Sequence, residues 1–463
     1  MGKRKDEKEL QETFDQIGGD AEVLREWDLS VEKIRQVRGV LKLYTSSGPR
    51  MLKKVNVSDA RLRFIHESLE HLYLSGLTSV PRFIRTKYGD PYVVHPTGLY
   101  YLTNWMPGKE ADLKKTKNLF LAAETLARFH NAGTGFEGGG FGQETREDFS
   151  ALWGKYRAKL ASYDEHLEER RDQTIMDNAY VDHRKELLKM IDHAVEQLND
   201  TPYGAVLEWA REHKTICHGS YSRQNLIVDK ERMSVVDLDH CHFGHPIQDL
   251  GAMLSRYMPR FGWDAEIGFS ILDVYREVRE ITKEEMTVLA AYLSFPSRTL
   301  QVVEAYFERT RDWEVERFTK NFRKSLALDR GRETFVQDLI DRYNLTMEAP
   351  SFAPQLDDVG SYDLEDDESS SVEARHDGWE ENQGNEHDEE SGPISVQVEN
   401  QEVDVTLARF EDDDELIEES GQRITHVAHA RQARPKTKRA QADVQPRRRP
   451  NTGGPTGPWT PGR

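Results

Sequence analysis

A polar segment near the middle of the chain has the residue spacing of a phosphoryl-transfer site. The segment HGSYSRQN ends at Asn225, and VVDLD follows one short strand later, with Asp237 closing the apolar run. In kinases an asparagine of this loop and an aspartate after the next strand hold the magnesium ions that bridge the phosphates. Amide and carboxylate oxygens suit that hard cation. Asn225 and Asp237 are therefore the predicted metal ligands, and ATP with Mg²⁺ is the cofactor that such a site would take.

The residue at the catalytic-base position of this segment is a serine. Working sites carry an aspartate five residues before the asparagine, and here that position is Ser220. A serine hydroxyl is neutral at physiological pH and cannot accept the substrate proton unless another group deprotonates it. Positioned acid–base catalysis contributes roughly 10²–10⁴ in rate, so its loss predicts a crippled enzyme. Asp239 is the alternative base, although its place two residues beyond Asp237 favours a second metal-side carboxylate.

Two charged residues upstream occupy the positions of a phosphate-binding ion pair. Lys53 lies near the end of the third predicted strand, where kinases place the lysine that contacts the α- and β-phosphates. Glu67 lies on the next predicted helix, where the partner glutamate of that lysine is expected. Either residue alone would be interpreted as a surface charge. Their order along the chain, together with Asn225 and Asp237, favours a nucleotide site.

The predicted phosphate-binding loop is also incomplete. The segment QVRGVLKLY contains a single glycine, Gly39. A working loop has two or three glycines, which let backbone N–H groups approach the phosphates. Two separate parts of the apparatus therefore depart from an active site.

The elements that would position these residues begin with a small strand-rich region. Strands and a turn at residues 46–48 are predicted between residues 31 and 57, and an amphipathic helix follows from Ser58 to about Gly76. Three more short strands are predicted in VPRFIRT, PYVVH and LYYLTNW. Pro107-Gly108 then ends this region.

Helical periodicity dominates the chain after Gly108. The segments LFLAAETLARFH and HRKELLKMIDHAVEQL each place their apolar residues on one face, and Thr282 has capping-box spacing to Glu285. Three short apolar segments, TIC, LIV and SVVDLD, interrupt the helices around the candidate site. The predicted class is α+β, a bilobal protein-kinase-like fold. Its predicted parts are a charged N-terminal arm (1–20), a kinase-like N-lobe (21–107), a helical C-lobe (108–348) and a tail (349–463).

Charge is segregated within this tail. Residues 351–420 contain 25 Asp or Glu against two Arg, hence a net charge of −23, and residues 421–463 contain ten Arg or Lys against one Asp, hence +9. Segments with high charge and little apolar content cannot offset the entropy of ordering, so we predict a disordered tail, acidic and then basic. The basic run is expected to pair with the acidic one or with other proteins rather than with nucleic acid.

Other features predict synthesis in the cytosol. Two cysteines are too few for a disulfide framework. The first 20 residues lack the apolar core of a secretory signal. No apolar run approaches the roughly 20 residues that span a membrane, so no membrane insertion is expected.

Cysteine and histidine side chains around the candidate site make zinc binding a rival chemistry. Zinc sites favour pairs separated by two to four residues, whereas the Cys-His pairs here are adjacent and would point to opposite faces of a strand. Packing of the cysteines as small apolar groups is the favoured interpretation. The rival set comprises Cys217, His218, His240, Cys241, His242 and His245.

Four segments of the chain resemble a known family. LARFHNAGTGF, HGSYSRQNLI, VVDLDHCHFGHPIQDLG and LAAYLSFPSRTL are similar to the aminoglycoside/choline phosphotransferase superfamily, and more closely to its CotS-type spore coat branch from endospore-forming bacteria. The resemblance covers residues 25 to 345, approximately. It implies that His218 packs and orients the catalytic loop and that Asp249 holds this loop through backbone hydrogen bonds.

The resemblance also implies a role and a location. A protein of this branch would be made in the mother cell and deposited on the forming spore coat through contacts with other coat proteins. With Ser220 at the base position, we interpret the fold as a catalytically impaired, structural component. The alternative is an active ATP-dependent small-molecule phosphotransferase that uses Asp239 or a water molecule as base. The fold by itself does not establish activity.

Overall fold

A five-stranded sheet precedes a set of packed helices in the computed structural model, which describes residues 11–138 and 149–347. The first ten residues of the predicted arm and the predicted tail from residue 349 lie outside the described residues. Within the described ranges, no helix is both long and apolar enough to cross a membrane.

The sheet separates a packed outer face from a face that carries Lys53. Its strands are β1 (Val31–Val37), β2 (Val40–Thr45), β3 (Gly48–Val55), β4 (Val93–His95) and β5 (Gly98–Asn104). They pair in the order β1-β2-β3-β5-β4, and all neighbours are antiparallel. Leu41, Leu43 and Leu52 are fully buried on the outer face. Because side chains alternate along a strand, Lys53 lies on the opposite face from Leu52.

Residues 11–20 pack onto the outer face of this sheet and do not form the solvated arm that their charge predicted. Residues 11–15 are helical, and Phe14 is fully buried in the same cluster as Leu41 and Tyr100. One turn of helix can direct an aromatic side chain toward the core while its charged neighbours face water. The single buried aromatic side chain is what the charge-based prediction missed.

The segment VPRFIRT is not a strand, although its composition predicted one. Phe83 makes an isolated bridge to Thr103 of β5. Pro81 has no N–H group to donate to a ladder, which favours this irregular course. The segment nevertheless supplies an aromatic ring to the sheet, since Phe83 stacks on Tyr101 with ring centroids 4.3 Å apart.

Helix α1 (Asp59–Leu74) connects the central strand β3 to the edge strand β4, and its N-cap is Ser58, as predicted. The Ser58 hydroxyl accepts the backbone N–H of Arg61, which satisfies one of the unpaired donors of the first turn. Its predicted apolar stripe is buried: Leu62, Ile65, Leu69 and Leu72.

The connection out of the sheet requires glycine at residue 108. Gly108 has φ +118°, and a Cβ there would lie 2.3 Å from the carbonyl oxygen of Val228. The close approach brings β6 (Lys109–Glu110) alongside β8 (Leu226–Asp229), with which it pairs.

The remainder of the described chain is mainly helical. The helices are α2 (Thr116–Ala132), α3 (Phe149–Glu169), α4 (Ile175–Asp200), α5 (Tyr203–Glu212), α6 (Ile247–Tyr257), α7 (Ala265–Val278), α8 (Lys283–Ser294), α9 (Ser297–Phe307) and α10 (Val315–Tyr343). Helix α8 is buried around its whole circumference from Glu285 to Ser294 and packs on α4, α5, α6 and α10. Its predicted capping box, Thr282 with Glu285, is present.

Short strands between α5 and α6 carry the candidate site. They are β7 (Ile216–Cys217), β8, β9 (Arg232–Val235) and β10 (His242–Phe243). β7 pairs with β10, and β8 pairs with β9. The loop after β7 and the segment after β9 are therefore brought to the same end of two small antiparallel ladders.

Candidate functional site

The loop between β7 and β8 is fixed by hydrogen bonds to buried Asp249. The Asp249 carboxylate accepts the backbone N–H groups of His218 at 2.6 Å and Gly219 at 2.9 Å. Gly219 has φ +75°, and a Cβ there would lie 2.3 Å from the carbonyl oxygen of His240, so only glycine fits. Asp249 thus fixes the backbone immediately before Ser220.

His130 of α2 completes this buried cluster, although the sequence did not predict it as a site residue. Its Nε2 lies 3.2 Å from an oxygen of Asp249, and its Nδ1 lies 2.7 Å from the hydroxyl of Tyr275. Burial alone would raise the pKa of Asp249, but the hydrogen bond from His130 and the nearby imidazoles hold it well below its usual range. The available signal was a histidine four residues after Leu126, on the apolar stripe of a helix.

His218 joins this loop to the strand segment that leads into Asp237. Its Nε2 lies 3.1 Å from the carbonyl oxygen of Val236, and its Nδ1 accepts the backbone N–H of Ser220 at 3.2 Å. These partners assign a neutral ring that donates from Nε2. Burial lowers the pKa of His218, in agreement with that assignment.

Asn225 closes the same loop from its other end. The side-chain Nδ2 donates to the carbonyl oxygen of Ser220 at 2.9 Å, and the carbonyl oxygen of Asn225 accepts the N–H of Val236 at 2.9 Å. With its amide nitrogen committed to Ser220, Asn225 has its Oδ1 atom as the group that could bind a cation. These two hydrogen bonds connect Asn225 both to the loop at Ser220 and to the segment that carries Asp237.

Asp237 itself has an unusual backbone conformation. Its φ is +61°, in the left-handed region that residues other than glycine rarely adopt. Backbone strain of this kind is concentrated at functional sites, where surrounding contacts maintain it. Here the hydrogen bonds around Val236 hold the Asp237 carboxylate two residues beyond the end of β9.

The ammonium group of Lys53 lies between two carboxylates from the segment after β9. Its Nζ is 2.8 Å from Asp237 Oδ1 and 2.9 Å from Asp239 Oδ2. The structure thus brings Lys53 together with Asp237 and Asp239. Carboxylate and amide oxygens at Asp237 and Asn225 form a donor set that fits Mg²⁺.

Lys53, Asp237 and Asp239 shift one another's pKa values. Burial would lower the pKa of Lys53, but its two carboxylate partners outweigh burial and raise it. Burial would raise the pKa of Asp237, yet Lys53 holds it below its ordinary value. Burial, together with the repulsion from Asp237, raises the pKa of Asp239. The ammonium of Lys53 is therefore charged at neutral pH.

Glu67 is not among the ion-pair partners that Lys53 has in the described part of the chain. Among the described residues, the ion pairs of Lys53 go to Asp237 and Asp239. Glu67 follows Arg63 by one helical turn, and Arg63 in turn pairs with Asp59, so these three residues form one stripe of α1. The nucleotide-binding role of Glu67 stays a prediction, and the ion pairs of Lys53 in the described residues do not support it.

The turn between β1 and β2 occupies the position of the phosphate-binding loop. Arg38 adopts φ +52° in this turn, beside Gly39. Its guanidinium pairs with Glu110 of β6 at 2.7 Å, and about half of the Arg38 side chain is exposed. This ion pair connects the turn to the strand that follows the Gly108 connection.

Most side chains of the rival zinc set contact other protein groups, as Cys217, His218, His242 and His245 do. Within the described ranges, the group of potential metal ligands that lie within 4.8 Å of one another is His130, Cys217 and Asp249, and only Cys217 belongs to the rival zinc set. The Cys217 thiol donates to the carbonyl oxygen of His245 at 3.2 Å. Both cysteines are buried thiols, and Cys217 and Asp249 of this group are hydrogen-bonded to backbone groups.

Comparison with known proteins identifies relatives of this fold. An aminoglycoside phosphotransferase from Alicyclobacillus acidocaldarius subsp. acidocaldarius DSM 446 has a similar structure, with a TM-score of 0.63 and 22% identity, covering 70% of this chain and 96% of that chain. Spore coat protein S of Bacillus subtilis (strain 168) is 21% identical over 311 residues, which cover 66% of this chain and 88% of the relative. The predicted α+β kinase-like fold and the resemblance to the CotS-type branch are confirmed.

The family model "Phosphotransferase enzyme family" matches residues 37–287. The matched range includes Lys53, the loop at Ser220, and the Asp237 and Asp249 positions. It covers more than half of the chain. The protein therefore belongs to the phosphotransferase enzyme family.

Proposed function

We propose that this protein is a spore coat component that binds a magnesium–nucleotide complex but transfers its phosphoryl group poorly. The observation that carries the proposal is a contrast within one loop. Asn225 has an amide oxygen of the type that suits a cation, whereas the residue at the base position of the same loop is Ser220. Binding and chemistry depend on different side chains here, so one can be lost without the other.

The binding half of the proposal is supported by charge and donor type. A bound magnesium ion would neutralise phosphate charge during transfer. Asp237 and Asn225 would hold it through oxygen atoms, and Lys53 would contact the phosphates as a partly buried cation. All three side chains are kept in position by the contacts around Val236 and by the sheet.

The catalytic half is supported by two departures from a working site. The Ser220 hydroxyl is neutral and cannot accept the proton of a substrate hydroxyl. The turn before β2 has Arg38 and Gly39 where a loop rich in glycine would wrap the phosphates, and Arg38 is paired with Glu110. Asp239, the alternative base, has its carboxylate committed to Lys53 and Tyr101.

The coat location is supported by the relative named Spore coat protein S, which this chain matches over most of the relative's length. In a spore-forming host, extraction of purified spores should place the protein in the coat fraction, in contact with other coat proteins. Its presence only in the mother-cell cytosol would overturn this part of the proposal.

Nucleotide binding is tested by thermal stabilisation of the purified full-length protein. At a ligand concentration near 100 times Kd, binding stabilises the folded state by about 2.7 kcal/mol. Asp237→Ala should abolish most of the Mg-ATP shift because it removes a metal ligand. Asp229→Ala, at the exposed end of β8, is the matched control and should keep the parent shift. An equal shift in parent and Asp237→Ala would contradict the proposed site.

A further inference from the structure

We infer that Asp239, and not a glutamate of helix α1, is the residue that positions Lys53 for a nucleotide. The inference rests on the proposed nucleotide binding and assigns the lysine anchor within that site. Asp239 acts through Lys53, so it is a positioning residue rather than a catalytic one.

The two carboxylates that contact Lys53 differ in exposure. The side chains of Lys53 and Asp239 are 16% and 18% exposed, whereas that of Asp237 is 37% exposed. Asp239 is therefore the inner partner, and Asp237 is the partner nearer to solvent. An incoming cation reaches Asp237 first, and Lys53 would still keep its contact with Asp239 when Asp237 is engaged.

Asp239 is itself held by separate contacts from the sheet and from helix α1. Its Oδ1 accepts the hydroxyl of Tyr101 at 3.3 Å, and its carbonyl oxygen accepts from the guanidinium of Arg61 at 2.7 Å. Tyr101 lies directly opposite Lys53 in the β3–β5 ladder, and Phe83 stacks on its ring. Directly opposed residues share a face of the sheet, so Tyr101 and Lys53 approach Asp239 from the same side.

Helix α1 contributes to this arrangement through a cation rather than a carboxylate. Arg61 binds the carbonyl oxygens of both Asp239 and Cys241 and is buried. Glu67 lies six residues after Arg61. On a helix with 3.6 residues per turn, the two side chains therefore point in different directions. The helix therefore holds the backbone that carries the anchor, and the anchoring carboxylate comes from the segment after β9.

The first experiment measures ADP binding to the full-length protein with and without magnesium. In EDTA, Asp239→Asn should weaken ADP binding about tenfold, the size expected for losing one charge-assisted hydrogen bond to the lysine. Asp239→Glu, which keeps a carboxylate, should recover part of this loss. Asp237→Asn should weaken binding mainly when magnesium is present. Glu67→Gln is the rival anchor variant and should leave metal-free binding within about twofold of the parent.

Two results would overturn the inference. A loss for Asp239→Asn that appears only with magnesium would make Asp239 a metal-side ligand. A loss for Glu67→Gln as large as that for Asp239→Asn would return the anchor to helix α1.

The second experiment needs no nucleotide and separates this inference from the proposed function. Double-mutant cycles of urea unfolding compare Lys53→Met with Asp239→Asn, and Lys53→Met with Glu67→Gln. The 53–239 pair should be non-additive and the 53–67 pair additive. A non-additive 53–239 cycle without any ADP binding would reject nucleotide binding and keep the ion pair. An additive 53–239 cycle would reject the anchor itself.

Discussion

The side-chain amide of Asn225 donates to the carbonyl oxygen of Ser220 across 2.9 Å, which joins the candidate metal ligand directly to the position of the missing base. The contact uses the Ser220 backbone and is independent of its side chain. A substitution at residue 220 can therefore remove the base while the loop and the cation-binding atoms remain in place. This separation underlies the proposed combination of retained binding and lost transfer.

Asp249 should be the most costly polar residue of the site to change. Asp249→Asn keeps the shape but replaces a buried carboxylate that accepts two backbone N–H groups and pairs with His130. Breaking such a buried pair should lower the free energy of unfolding by about 3 kcal/mol. Urea titration of parent and variant measures this loss. Asp273→Asn, which alters a half-exposed pair with Arg342, should cost less than about 0.5 kcal/mol. Equal losses in the two variants would contradict the loop-holding role.

The buried contacts of Glu285 with Arg279 and His245 predict a specific dependence of stability on pH. Burial would raise the pKa of Glu285, but His245 and Arg279 lower it to about 2, from 4.5. A carboxyl whose folded pKa is depressed stabilises the fold above its unfolded pKa and loses that contribution as pH falls through the folded value. The stability difference between parent and Glu285→Gln should therefore be largest above pH 5 and shrink toward pH 2. A difference that is constant from pH 6 to pH 3 would contradict this assignment.

The boundary of the folded region, predicted near residue 348, is testable on the full-length protein. Helix α10 ends at Tyr343, and Asn344 adopts the left-handed conformation that terminates helices. Limited proteolysis should leave a resistant fragment that ends close to residue 348, identified by mass spectrometry. A segment beyond residue 349 that resists cleavage as well as the helical region does would move the boundary.

Local sequence patterns predicted most of the fold because the determining interactions are local. The Ser58 cap, the apolar stripe of α1 and the Thr282 capping box each depend on residues within one or two turns. The burial of Phe14 was not predicted because Phe14 packs against a sheet whose strands lie later in the sequence. VPRFIRT was misassigned because strand composition does not reveal whether a pairing partner is accessible.

The residues of the candidate site likewise include some whose grouping local spacing suggests and others that only distant segments bring together. Ser220 and Asn225 lie in one loop, and Asn225 is hydrogen-bonded to Val236, the neighbour of Asp237, so short spacings in the sequence are enough to suggest this grouping. The partner of Lys53 comes from residues more than 180 positions further along the chain, and no spacing rule selects Asp239 over Glu67. His130 and Tyr101 were missed for the same reason, since their roles exist only after the distant segments pack.

Single-turnover formation of ADP is the most direct test of the central claim, comparing the unmodified protein with Ser220→Asp under conditions where Mg-ATP binding has been measured. The unmodified protein should bind Mg-ATP and form no ADP above the uncatalysed rate. Ser220→Asp should gain far less than the roughly 10²–10⁴ that a positioned base contributes, because the turn at Arg38 and Gly39 is also altered. Rapid ADP formation by the unmodified protein would contradict the account and make Asp239 the candidate base.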